Sequence, residues 1–382
     1  MRAGIGHSDH VDGGAAIRTA IAQAASALGD APARGGMLLL SVDYDAEEAA
    51  RSVLARWPGL PLIGCTTDGE LSSVGGFTDD SVLLVVFGGE DVEFTATVAE
   101  RISEDPVGAP ARAIAAARVS APRVCLTTPV SHTCNIAEVI RSLAGALPAG
   151  CPIIGGTAGD HLEYRNIRQI CGDRVLEDAI PILLICGEVA VSVGIASGWT
   201  PTGRAHRVTR ADGRRILEID GRSASEVHRE LWGPVPAECF SEYPLAIYPD
   251  DDSDDHILRA VFSADGDALV CAADVPAGSR VRITEVVRRD EILDGAHAAA
   301  RSAAQAWRGG GPAAAFVVTC AGRKWLLGTR AHEELAHIQR ALEPWPDLPV
   351  FGFYSFGEVL RRPSGAPRFH NHTCVVAVLG GA

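Results

Sequence analysis

Apolar residues in this chain cluster in short unbroken runs separated by polar stretches and by segments with helical spacing. Met37-Leu-Leu-Leu-Ser-Val42, Val82-Leu-Leu-Val-Val-Phe87, Val124-Cys-Leu-Thr-Thr128, Ile182-Leu-Leu-Ile-Cys186, Ala315-Phe-Val-Val-Thr-Cys320 and Cys374-Val-Val-Ala-Val-Leu379 are the clearest runs. Their length and β-branched content predict strands. Between paired runs, Ala49, Val53, Leu54 and Trp57 recur at a helix period and predict a helix over Ala46 to Trp57. Comparable helices are expected over Ile136 to Leu147, Ile292 to Trp307 and Ala331 to Leu342.

Each pair of runs brackets one recurring turn, in which a Pro and two apolar residues lead through Gly to a closing Gly-acid pair. The copies are Pro61-Leu-Ile-Gly-Cys-Thr-Thr-Asp-Gly-Glu70, Pro152-Ile-Ile-Gly-Gly-Thr-Ala-Gly-Asp160 and Pro349-Val-Phe-Gly-Phe-Tyr-Ser-Phe-Gly-Glu358. The repeated unit is β-α-β-turn-β, present three times. Strand, helix and strand in that order predict a right-handed crossover to a parallel neighbour, with the last strand free to return antiparallel. The expected fold is mixed α/β, with mixed sheets covered by helices.

A different region separates the second and third units. Val189 to Ile195, Ile216 to Ile219, Leu258 to Phe262, Ala268 to Cys271 and Arg280 to Thr284 read as strands, and Asp220 to Leu231 as a turn entering a helix. A boundary near residue 232 gives an N-terminal segment with a short helix (1–34) and two domains, 35–231 and 232–382.

Composition narrows the function classes. A chain of 382 residues with 47% apolar content can bury more than one core. Its formal charge of -14 argues against nucleic acid or an anionic membrane as partner. Arginine supplies nearly all the cations, Lys324 being the sole lysine, a bias expected of a GC-rich bacterial genome. The ten cysteines show no C-x-x-C spacing and sit mostly in apolar runs. With no apolar leader and no run of about 18 apolar residues, a reduced, cytoplasmic location is expected.

The turns hold the candidate ligand contacts, because loops leaving strand ends collect binding groups in α/β proteins. They supply Cys65, Thr66, Thr67, Asp68 and Glu70, then Gly156, Thr157, Asp160 and His161, then Phe353, Tyr354, Ser355 and Glu358. Free backbone N–H groups and Thr hydroxyls are expected to hold an anionic group, with Phe353 and Tyr354 as an apolar wall. His370 and Asn371 are added as candidate ligand contacts; His370 and His372, one residue apart on an expected strand, would face the same side, with Asn371 and Thr373 opposite. No third metal ligand is evident beside them, and no metal is expected.

Other motifs fail on geometry. His332-Glu-Glu-Leu-Ala-His337 has one residue too many for a zinc-protease helix, since its histidines lie about 140° apart on the helix. Asp250-Asp-Asp-Ser-Asp-Asp255 lacks the Gly and late Glu of a calcium loop and reads as a solvated segment. There is neither a phosphate-cradling Gly-x-x-x-x-Gly-Lys loop nor a Gly-x-Ser-x-Gly elbow. An enzyme acting on a small acid or thioester, with Cys65 or Glu358 in the chemistry, stays open as an alternative.

Several segments carry a family resemblance. Ile154-Gly-Gly-Thr-Ala-Gly-Asp160, Ser197-Gly-Trp-Thr-Pro-Thr-Gly203, Val208-Thr-Arg-Ala-Asp-Gly213 and Glu218-Ile-Asp-Gly221 resemble the N-terminal domain of FIST proteins, named for F-box and intracellular signal transduction. Ala272 to Arg282, Gly352-Phe-Tyr-Ser-Phe-Gly-Glu358 and Phe369-His-Asn-His-Thr373 resemble its C-terminal domain. The resemblance implies a sensor of small ligands, amino acids or organic acids among them, that signals through a separate histidine kinase or similar protein. For a haem-binding, nitric-oxide-sensing subgroup the candidate ligands here are His161 and His206. The expectation is a stand-alone sensor whose ligand sits in a cleft lined by the turns, between the N- and C-terminal regions.

Overall fold

The computed structural model describes residues 1–249 and 255–382. It is a mixed α+β structure in which the β-α-β-turn-β units are parts of larger repeats. Each repeat runs strand, helix, strand, helix, strand, hairpin, strand. The first spans Arg2–Ser8, helix Gly13–Leu28, Ala33–Leu40, helix Ala46–Arg56, Leu62–Thr66, the hairpin Glu70–Ser72 and Gly76–Thr78, and Val82–Gly88. The second uses Val92–Glu100, Gly108–Ala117, Val124–Thr127, Ile136–Ala146, Ile153–Gly156, the hairpin Gln169–Cys171 and Arg174–Leu176, and Ala179–Gly187. The third opens with Val189–Ser197, continues at helix Arg289–Ala306 and ends on Thr373–Gly381.

Within each repeat the two strands flanking the second helix pair in parallel, as Ala33–Leu40 does with Leu62–Thr66, and the closing strand returns antiparallel. The expected parallel pairing and antiparallel return therefore hold in all three copies. The hairpins leave home, however. The second repeat's hairpin extends the first sheet, the third repeat's extends the second, and the first repeat's extends the third. Exchange of this cyclic kind ties every sheet to two repeats, so no repeat is complete alone.

The unbroken apolar runs follow from burial on both faces. Leu38 and Leu40 pack under the helices Gly13–Leu28 and Ala46–Arg56, whereas Met37 and Leu39 face the common interior with Phe87, Phe316 and Phe351. In the third sheet Val317 meets the outer helices while Phe316 and Val318 point inward. A strand covered on both sides has no polar face to alternate with.

Residues Thr200–Glu285 interrupt the third repeat and form a β-sheet of their own around helix Ala224–Trp232, with the core Val208, Ile216, Val227, Leu245, Leu269 and Val281. The expected single strand Leu258 to Phe262 is two here. Ile257–Arg259 pairs with Leu245–Tyr248, and Val261–Asp265 pairs with Ala268–Cys271. Residues 1–34, expected as a segment apart, supply the edge strand and first helix of the first repeat. Asp250 to Asp254 of the acidic run lie outside the described residues, and Asp255 pairs with Arg368 at 2.6 Å.

Candidate ligand-binding site

The three turns meet. Asp68 N donates to Tyr354 O and Tyr354 N to Gly69 O, joining the first and third turns. Thr157 N donates to Gly357 O and Phe356 N to Thr157 O, joining the second and third, and Gly159 N donates to Thr66 O to close the ring. The first Gly of each copy permits the approach. A Cβ on Gly64, Gly155 or Gly352 would lie 1.9, 1.9 and 2.0 Å from the carbonyl oxygens of Leu38, Thr127 and Val317. The recurrence of the motif thus has a packing cause, repeated at one register in each sheet.

This junction corrects the anion-cradle expectation, because its N–H groups already have protein partners. Thr67 N donates to Leu40 O, Ala158 N to Pro129 O, and Gly69 N to the Thr67 hydroxyl. Cys65, Thr66, Thr67, Glu70, Gly156, Thr157, Asp160, Phe353, Tyr354, Ser355 and Glu358 are all buried. Phe353 belongs to the common core, and the Tyr354 hydroxyl donates to Glu334 at 2.6 Å beside the buried Arg323–Glu334 pair. Burial pushes the Cys65 thiol far up, so it is no thiolate nucleophile at neutral pH.

In two turns the acid is tied back to its own hydroxyl. Thr67 donates to Glu70 and Ser355 to Glu358, and Glu358 also accepts from the backbone and hydroxyl of Thr373. Burial drives both carboxyls up to about 8. The second turn differs. Asp160 accepts from the N–H groups of Tyr164, Arg165 and Asn166, shaping a loop in which His161, Leu162 and Tyr164 hold positive φ. That loop swings Tyr164 back over the third turn, its ring centroid 4.6 Å from Phe356.

Beside that contact opens a cavity of about 260 Å³, walled by Tyr164, Phe356, Phe262, Trp325, Asn371 and His372. It lies between the three-repeat body and the inserted sheet, where Asn371 Oδ1 accepts from Ala260 N at 3.2 Å. Trp325 at 61% exposure, Leu162 at 40% and Phe262 at 39% form an apolar rim, which marks an opening rather than a sealed void. His372 is neutral at physiological pH, since burial, with Arg323 adding to it, drives its imidazole down to about 3. Its Nδ1 is buried with no hydrogen-bond partner among the described residues. Beside the cavity Lys324 bridges Asp68 at 3.2 Å and Asp79 at 2.9 Å, pinning the Trp325 helix to the first turn.

His370 and His372 do not share a side. The strand Arg368–His370 ends before them both can align, and His372 turns at φ 57°. His372 faces the aromatic cavity and His370 a second one. Of the residues expected to contact ligand, only Asn371 lines the aromatic cavity, joined there by His372, which the sequence weighed only as a metal partner. Phe356 and His372 stood inside quoted motifs, but Tyr164, Phe262 and Trp325 carry no local signal, because distant segments bring them together.

The haem candidates do not fit that group. His161 sits in a polar surface cluster, its Nε2 3.2 Å from Ser41 Oγ and 3.3 Å from Asp80. His206 holds Asp220 through Nδ1 at 2.8 Å and borders a void of only about 10 Å³. Neither faces an apolar slot that takes a macrocycle.

With the geometry set out, family comparison is decisive: the FIST N domain matches residues 36–222 and the FIST C domain residues 224–361. The chain belongs to the FIST family. FIST domains are associated with sensing and signal transduction. The inserted sheet of this FIST protein falls across the border between the two matched domains. An uncharacterised protein of Methanocaldococcus jannaschii is 30% identical over 95 residues, 24% of this chain and 19% of that protein, so the chain spans about a fifth of its length. The crystal structure of cyanuric acid hydrolase from A. caulinodans overlaps 100% of this chain and 99% of its own at 10% identity and a TM-score of 0.32. A likeness that loose says nothing about the chemistry of the FIST chain. Among its described residues no helix is long and apolar enough to cross a membrane.

Proposed function

We propose that this FIST protein is a sensor whose aromatic cavity holds a small, flat, mostly apolar molecule with one polar edge, such as an aromatic amino acid or aromatic organic acid. The observation that carries this reading is the origin of the walls. Tyr164, Phe356, Asn371 and His372 come from the three-repeat body, while Phe262 and Ala260 come from the inserted sheet. A ligand touching both sides binds better when they close on it, and that difference in affinity is what shifts a conformational equilibrium. Stacking on Tyr164 and Phe356 suits a planar ring, and Asn371 and His372 are polar members of the lining. A volume of 260 Å³ sits just under the usual range of about 300–1,000 Å³ and restricts the ligand to a small one. The signal then passes to a separate protein such as a histidine kinase, and ten cysteines with no disulfide among the described residues suit a reducing, cytoplasmic setting.

Thermal shift of the purified chain with aromatic and aliphatic amino acids and organic acids tests the reading. An aromatic member at about a hundred times its Kd should stabilise by about 2.7 kcal/mol. Tyr164→Ala and Phe356→Ala should each weaken that binding at least tenfold with the fold retained. Silence across the panel, or shifts that survive both substitutions, would sink the proposal.

A further inference from the structure

The second cavity lies back to back with the first, on the other side of the Asn371-His372 bend. It measures about 480 Å³ and is lined by His256, Arg362, Arg368, His370, Ser197 and Thr373, with Asp255 as its one acid among the described lining residues. The lining thus carries more basic than acidic groups in a chain of net charge -14. Arg368 is paired with Asp255, whereas Arg362, on the exposed turn after Glu358–Arg361, has no carboxylate partner among the described residues. His370 is 8% exposed and its imidazole makes no hydrogen bond to a described residue, so its polar edge is left to the cavity. Burial is the main cause that drives its imidazole down to about 3, and Arg259, Arg368, Arg362 and His256 push the same way. Two arginines against one aspartate leave the described lining with a net positive charge.

We infer that this second cavity is a binding site for a small oxyanion, a carboxylate or phosphate group carried by a soluble metabolite. Guanidinium groups present paired N–H donors that match both kinds of oxyanion, and a concave low-dielectric wall strengthens the attraction. Neutral His370 can donate from one ring nitrogen. Phosphate and carboxylate share this recognition chemistry, so the ligand's charge and shape, not the cavity alone, separate them. The site stands independently of the aromatic cavity, since the two are lined by different residues.

Isothermal titration calorimetry of the full chain with inorganic phosphate, succinate and neutral succinamide tests the inference. Phosphate or succinate should bind, succinamide should not, and affinity should fall as sodium chloride is raised. Which of the two anions binds more tightly assigns the ligand's head group. Arg362→Gln and Arg368→Gln should each cost at least tenfold and together abolish binding, while Arg51→Gln, on helix Ala46–Arg56 outside the cavity lining, leaves it unchanged. Arg362 is exposed, so its loss leaves the fold intact, and circular dichroism verifies this. Absence of heat with both anions, or binding indifferent to both arginine substitutions, overturns the site.

Discussion

Glu70 and Glu358 show how a repeated turn becomes a titrating device. Both carboxyls are buried, and burial raises each from 4.5 to about 8 against the hydrogen bonds that favour the ionised form. Between those values the unfolded chain releases a proton that the folded chain keeps, so stability is full below about 4.5 and declines as pH rises to 8. Histidines act in the opposite direction at lower pH. Burial lowers His7 and His228 to about 4 and His370 and His372 to about 3, so their share is lost as pH falls below 6.5. The two effects oppose each other below 6.5, and only the carboxyl effect remains from 6.5 to 8. Tm should therefore drop across that interval, and a Glu70→Gln, Glu358→Gln double variant should flatten the drop. Scanning calorimetry at half-unit steps decides it, and an unchanged slope in the double variant would refute the assignment.

At the scale of elements, the recurring glycine is the feature that fixes how strands sit beside one another. Backbone oxygen 2.0 Å from a new Cβ cannot move aside as a side chain can, so Gly352→Ala must shift one strand of the third sheet relative to its neighbour. The cost should exceed the about 1–3 kcal/mol typical of overpacking, and urea denaturation should show it as a lowered midpoint at similar slope. Gly311→Ala, where a Cβ meets nothing within 4 Å, should change the midpoint little. Strands and helices of this unit were legible in the sequence because periodicity and punctuation are local. Ala46–Arg56 and Ile136–Ala146 fall within a residue of their expected ends. The exchange of hairpins was not legible, since Glu70–Ser72 pairing with Val350–Ser355 leaves no mark on either segment. The same limit hid the site. Turn residues announced themselves by repetition, yet repetition reported their packing role, while the cavity walls Tyr164, Phe262 and Trp325 are each single aromatic residues in unrelated stretches.

Across the whole molecule, the inserted sheet is attached to the three-repeat body by an apolar cluster, Ala246, Tyr248 and Leu258 against Ile292, Leu293 and Leu327, and by polar contacts beside the cavity. Arg259 Nη1 donates to Phe369 O at 3.0 Å, Ala260 N donates to Asn371 Oδ1 at 3.2 Å, and Arg141 pairs with Asp274 at 2.9 Å. Asn371 is the element common to attachment and cavity, since its Nδ2 also reaches Phe356 O at 3.5 Å. Replacing it with alanine strands the buried Ala260 N–H, a loss of about 1–3 kcal/mol located at the contact rather than in either core. Asn371→Ala should therefore speed hydrogen exchange in Ile257–Arg259 and Val261–Asp265 while Pro312–Cys320, at the centre of the third sheet, keeps its protection. Mass-spectrometric exchange on the full chain resolves those peptides. An equal rise in both regions would mean that the substitution weakens the fold as a whole, and no rise in either would mean that Asn371 does not couple the inserted sheet to the cavity.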